Sequence, residues 1–129
     1  MVELSRIVDQ YFELWNGSTA GPSGQLLSQV WAPDGRYADP TGSAVGHAEF
    51  ARLVAKVRQA YPGCVYRCDG PIDEHDMWAR FHWSMAGPDG TVLVRGVDFV
   101  ERSADGRLAT LIGFFDQVSV AASVVPASA

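Results

Sequence analysis

The chain reads as an α+β domain in which three N-terminal helices precede an antiparallel sheet. Three observations predict this. Apolar residues recur at helical spacing up to Tyr61, and the period becomes strand-like from Cys64 onward. The later segments are separated by Pro88-Asp89-Gly90 and Ala104-Asp105-Gly106, which carry the Asp-Gly chemistry of tight hairpins. Helices followed by a run of strands is the α+β pattern.

Each element has its own signal. Leu4, Ile7, Val8, Tyr11 and Trp15 form an apolar stripe over residues 3–16, and Asn16-Gly17 stops the helix. Residues 17–24 (GSTAGPSG) are a loop, and residues 25–31 (QLLSQVW) a short second helix broken by Pro33-Asp34-Gly35. Residues 36–39 predict a brief strand. Phe50, Leu53, Val54, Val57 and Tyr61 then predict a third helix over 47–61, between Gly46 and Pro62-Gly63. Further strands are expected over 64–69, 77–86, 91–102 and 107–118. Residues 1–118 read as one domain, and the small-residue tail 119–129 (SVAASVVPASA) is expected to fray.

Composition narrows the function. The 129 residues are 47% hydrophobic, enough for one packed core. The net charge is −5 and the ten Lys and Arg are scattered, so no basic face is offered to nucleic acid. No apolar run approaches the roughly twenty residues that span a bilayer, and no charged-then-apolar leader opens the chain. The expectation is a soluble, cytoplasmic protein without a membrane partner. Cys64 and Cys68 would lie about 13 Å apart on an extended strand, too far for a disulfide, so two free thiols are expected. In residues 91–100 both parities are apolar, with Val92, Val94 and Val100 on one face and Leu93, Val97 and Phe99 on the other. A sheet apolar on both faces needs two covers. The helices supply one, and a homodimer partner is the expected second.

Several residues invite a chemical reading, each beside a plainer one. Asp98 shares a strand face with Val92, Val94, Gly96 and Val100, so its carboxyl must find a partner or stay protonated. It either pairs with Arg80 or another buried donor, or serves a site. Asp39, in Tyr-Ala-Asp-Pro-Thr-Gly (37–42), is turn chemistry or a working carboxylate. Tyr11 lies on the apolar stripe, where a tyrosine is ordinarily core. Arg80, His82 and Ser84 alternate with Phe81, Trp83 and Met85, so their face is either solvent or a polar pocket wall, with His82 a possible acid or base. Asp73-Glu74-His75-Asp76 reads most simply as a solvated turn, since its spacing matches no metal-ligand pattern. Glycine-rich dinucleotide and phosphate loops, the nucleophile elbow and the zinc-protease helix motif are all absent from the sequence.

The order of these elements resembles the nuclear transport factor 2-like (NTF2-like) superfamily, in its SnoaL-like and ketosteroid isomerase-like branch. The resemblance runs from Ile7 to about Val118. It is carried by YFELWN (11–16), APDGRYADPTG (32–42), GHAEF (46–50), VDFV (97–100) and GRLATLIGFF (106–115). It implies a curved antiparallel sheet wrapped into a cone with three helices, enclosing an apolar pocket, usually in a dimer. Asp39 matches the general base of the isomerases, Tyr11 their oxyanion-binding tyrosine, and Asp98 their second, protonated oxyanion donor. Phe115 takes the place of a pocket-lining aromatic, and Trp15, Phe50, Val54 and His82 are the other residues expected against the ligand. The function so implied is cofactor-independent and metal-free proton transfer through a dienolate of a small hydrophobic metabolite. Alternatives are a SnoaL-like polyketide cyclase and a non-catalytic binding or interaction module. The Arg-x-Asp arrangement of limonene epoxide hydrolases is not reproduced, because Arg95 and Asp98 have opposite strand parity.

Overall fold

The computed structural model describes residues 2–18 and 20–119. Among them are three helices, α1 (Leu4–Asn16), α2 (Gly24–Val30) and α3 (Gly46–Ala60). The strands are β1 (Trp31–Asp39), β2 (Gly42–Val45), β3 (Val65–Cys68), β4 (Asp73–His75), β5 (Trp78–Ala86), β6 (Val92–Arg102) and β7 (Leu108–Val118). They form one sheet in the order β2-β1-β7-β6-β5-β3, with β4 added on β5. The three helices and this open sheet make the α+β architecture that the resemblance implies.

The sheet is mixed, where the sequence predicts an antiparallel one. β1 pairs in parallel with β7, and every other pairing is antiparallel. The parallel pair arises because α3 and the β3–β6 segments lie between β1 and β7, a connection long enough to return the chain in the same direction. β1 is longer than expected and begins at Trp31, with its register against β7 shifting between Trp31 and Arg36. Pro33-Asp34-Gly35 therefore marks an irregularity inside a strand, where a missing N–H is tolerated. Gly35 also makes room for a ring, since a Cβ there would lie 2.5 Å from Trp31 Nε1. The expected solvated turn at 73–76 is in part a strand: β4 pairs with β5, though its side chains are exposed. Cys64 and Cys68 are free thiols. Residues 120–129 of the expected tail lie outside the described residues, and Ser119 N–H still donates to Leu93 O at 2.7 Å.

The helices bury their apolar stripes on the inner sheet face. Phe81, Trp83 and Met85 of β5, Val94 and Val100 of β6, and Leu111 of β7 meet Ile7, Val8, Tyr11 and Trp15 of α1 in one core. Phe50 of α3 stacks on Trp31 with ring centroids 4.4 Å apart and planes 9° from parallel. The end of α1 is pinned rather than free. Asn16 donates to Tyr66 O at 2.8 Å and accepts from Tyr66 N–H at 2.7 Å, and the buried Arg58 guanidinium bridges Cys64 O and Gly17 O. The residue that stops the helix thus fixes Trp15 and Tyr66 relative to each other. The outer sheet face keeps Trp78, Phe99, Ile112 and Phe114 between 43% and 53% exposed.

Candidate active site

Under the helices, the inner face leaves an apolar cavity of about 40 Å³ between α1, the end of α3 and strands β1, β5, β6 and β7. Its wall includes Tyr11, Phe12 and Trp15 of α1, Tyr37 and Asp39 of β1, and Tyr66 of β3. Trp83 and Met85 of β5, Val94 and Asp98 of β6, and Phe115 of β7 complete most of it. That volume has room for about two or three waters, so a ring-sized ligand enters only as the wall opens.

Asp39 ends β1, and Pro40 turns the chain toward β2. Its Oδ1 accepts from Thr41 N–H at 2.6 Å, Thr41 Oγ1 at 2.6 Å and Gly42 N–H at 3.2 Å. Its Oδ2 accepts a short hydrogen bond from the Tyr37 hydroxyl. Asp98 sits in the middle of β6 and is 4% exposed. Burial pushes its carboxyl well above the usual carboxylate range, the Asp39 charge adds to the rise, and the nearby Trp83 indole N–H offsets part of it. The neutral form, which donates a hydrogen bond, is therefore favoured. Among the described residues Trp83 Nε1 has no hydrogen-bond partner of ordinary geometry, so that offset is weak. Tyr11 is held in its protonated form by burial first; ionisation of Asp98 would raise it further, the Asp39 charge adds to the rise, and Trp15 and Tyr37 act in the other direction.

Gly113 explains how the two carboxyls come together. It faces Asp98 across the β6–β7 ladder, while its neighbour Ile112 pairs with Ala38, next to Asp39. A Cβ on Gly113 would stand 2.8 Å from Asp98 Oδ1 and 3.4 Å from the Asp39 Cβ. Both acids thus border one point that a larger residue would fill.

The SnoaL-like domain pattern matches residues 8–111. The chain belongs to the SnoaL-like family. A candidate isomerase of this family from Agrobacterium tumefaciens is 31% identical, aligned over 88% of this chain and 97% of that one, with a TM-score of 0.82. An NTF2-like protein of unknown function from Exiguobacterium is 18% identical over 87% and 99% of the two chains, with a TM-score of 0.67. A candidate polyketide cyclase from Sinorhizobium meliloti is 20% identical over 84% and 93%, with a TM-score of 0.65. No curated protein matches the chain. Family and fold together support a small-molecule enzyme or binding module.

In this SnoaL-like pocket Tyr11, Asp39 and Asp98 line one space, and Trp15 and Phe115 stand against it. Phe50 and Val54 do not: both are fully buried, Phe50 behind Trp31 and Tyr37, where α3 packs on β1. His82 is on the outer face, exposed, with Nδ1 4.0 Å from Asp116 Oδ2. The same parity places Arg80 outside, paired with Asp73 at 3.1 Å, so it does not reach Asp98. Arg95 is likewise outside, 3.3 Å from Asp69. Sequence reasoning missed Tyr37, Gly113, Tyr66 and Trp83. Tyr37 had a signal, because two residues before Asp39 on a strand is the same face. Among the described residues, no three His, Cys, Asp or Glu side chains gather to hold a metal ion, and no helix is long and apolar enough to cross a membrane.

Proposed function

We propose that this SnoaL-like protein is a cofactor-independent acid–base enzyme acting on a small hydrophobic carbonyl compound. Asp39 takes a proton from a carbon next to the carbonyl, and Tyr11 with neutral Asp98 donates hydrogen bonds to the oxygen as it gains negative charge. Where the substrate carries a β,γ double bond, the enolate so formed is a dienolate, and return of the proton to its γ-carbon shifts that double bond into conjugation with the carbonyl and completes an isomerisation. The observation that carries this reading is the contrast between two carboxyls bordering one apolar cavity. Asp39 accepts four hydrogen bonds suited to a carboxylate, whereas burial favours the protonated form of Asp98. Such a split is how one site holds a base and an acid at the same pH.

Cyclohex-3-en-1-one, a single-ring β,γ-enone, is a suitable probe. Asp39→Asn is expected to slow its α-proton exchange in D2O by about 10²- to 10⁴-fold, with an unchanged circular dichroism spectrum. Undiminished exchange in that variant would remove Asp39 as the base.

Two other readings have support. The Sinorhizobium neighbour is named as a candidate cyclase, and the same base and donors suit an enolate that closes on a second carbonyl of its own molecule. The hydrogen bonds at Asp39 also give both of its carboxylate oxygens a partner without any ligand, as in a non-catalytic binding module. We further propose that the protein works as a homodimer joined through the outer sheet face, whose exposed Trp78, Phe99, Ile112 and Phe114 support such a contact.

A further inference from the structure

Tyr37 is absent from the residue set that the resemblance supplies, yet it touches the proposed base directly. The two oxygens of Asp39 are not equivalent. Oδ1 takes three donors from the turn itself, Thr41 N–H, Thr41 Oγ1 and Gly42 N–H. With roughly two lone pairs per carboxylate oxygen, Oδ1 has no capacity left for a substrate proton. Among the described residues Oδ2 takes one donor, the Tyr37 hydroxyl, which leaves it a lone pair. The tyrosine is a fixed post: it is 6% exposed, and its ring lies 5.2 Å from Phe50, 5.9 Å from Trp15 and 6.3 Å from Trp31. Its hydroxyl cannot follow a wandering carboxylate without moving that cluster.

We infer that Tyr37 is the positioning residue of this site, holding Oδ2 of Asp39 toward the cavity so that this oxygen alone meets the substrate proton. The inference rests on the reading of Asp39 as base. It goes beyond that reading by naming the reacting oxygen and the group that aims it. A purely structural Tyr37 would instead be a core ring whose hydroxyl happens to be satisfied by the nearest carboxylate.

The test uses the full chain, with cyclohex-3-en-1-one as probe. Tyr37→Phe keeps the ring and its packing. It is expected to lower kcat for α-proton exchange about tenfold or more, to leave KM within about twofold, and to have no further effect in an Asp39→Asn background. In H2O the proton NMR spectrum of the wild type is expected to show a downfield hydroxyl resonance that vanishes in both Tyr37→Phe and Asp39→Asn. Packing alone would not produce that signature. Unchanged kcat in Tyr37→Phe, a loss confined to KM, or an independent loss in the Asp39→Asn background would overturn the positioning role and leave Asp39 as base. Undiminished exchange in Asp39→Asn alone would instead overturn the base, and the positioning role with it. A wild-type spectrum lacking the downfield proton overturns the pairing even if the Tyr37 variant fails to fold.

Discussion

Asp39 and Asp98 are the same residue type in two environments, and that difference is the chemistry proposed for the site. Asp39 is surrounded by donors at a turn; Asp98 stands in a hydrophobic strand, with burial raising its carboxyl well above the ordinary range. The stability consequence follows from linkage. Below about pH 3.9, the ordinary aspartate value, folded and unfolded chains both hold the proton and Asp98 costs nothing. As pH rises toward the higher folded value, the unfolded chain ionises first, so stability falls with pH across that window and levels off above it. Asp98→Asn, which removes the ionisation, is therefore expected to raise Tm at pH 7 by roughly 3 °C or more, a gain that disappears below pH 3.5. Calorimetry at the two pH values checks it, and equal Tm differences at both would contradict a raised Asp98.

At the scale of elements, β7 decides the site because it lies between the strands that carry the two acids. Gly113 is the position on it that leaves them space. Gly113→Ala would drive a Cβ to within 2.8 Å of Asp98 Oδ1. It should cost about 1–3 kcal/mol by overpacking and displace the Asp98 carboxyl, measured as a lower midpoint in urea together with weaker phenol binding. Wild-type stability and binding would mean that the strand shifts freely. This neighbourhood was not legible in the sequence, because local patterns say nothing about which strand lies beside which over seventy residues of chain. The helices and the Asp-Gly hairpins were legible, since apolar period and turn residues act locally. Parity was half legible: it put Arg80 and His82 on one face and Phe81 and Trp83 on the other, but not which face is inside. Phe50 and Val54, expected against the ligand, lie off the cavity wall for a related reason. A helix stripe shows what is buried, and Trp31, hidden in a strand that looked shorter, is what Phe50 packs against. Tyr11, Asp39 and Asp98 emerged as a set only through the family resemblance, as each alone had an ordinary structural explanation.

For the whole molecule, the sheet serves two purposes, with the cavity on one side and an apolar surface on the other. Phe99 and Phe114 meet edge to face at 5.9 Å in the middle of that outer surface. Sedimentation is expected to give a dimer at micromolar concentration that Phe114→Glu converts to a folded monomer, since burying an unpaired carboxylate is costly. A monomeric wild type would contradict the interface. The cavity itself is tested most directly by titration with 4-nitrophenol, whose colour separates its neutral and ionised forms. Tyr11→Phe and Asp98→Ala should each weaken binding by about tenfold or more. Asp39→Asn should strengthen binding of the ionised form, because the Asp39 charge opposes negative charge at both Tyr11 and Asp98. Binding that is indifferent to all three substitutions would contradict the proposed site.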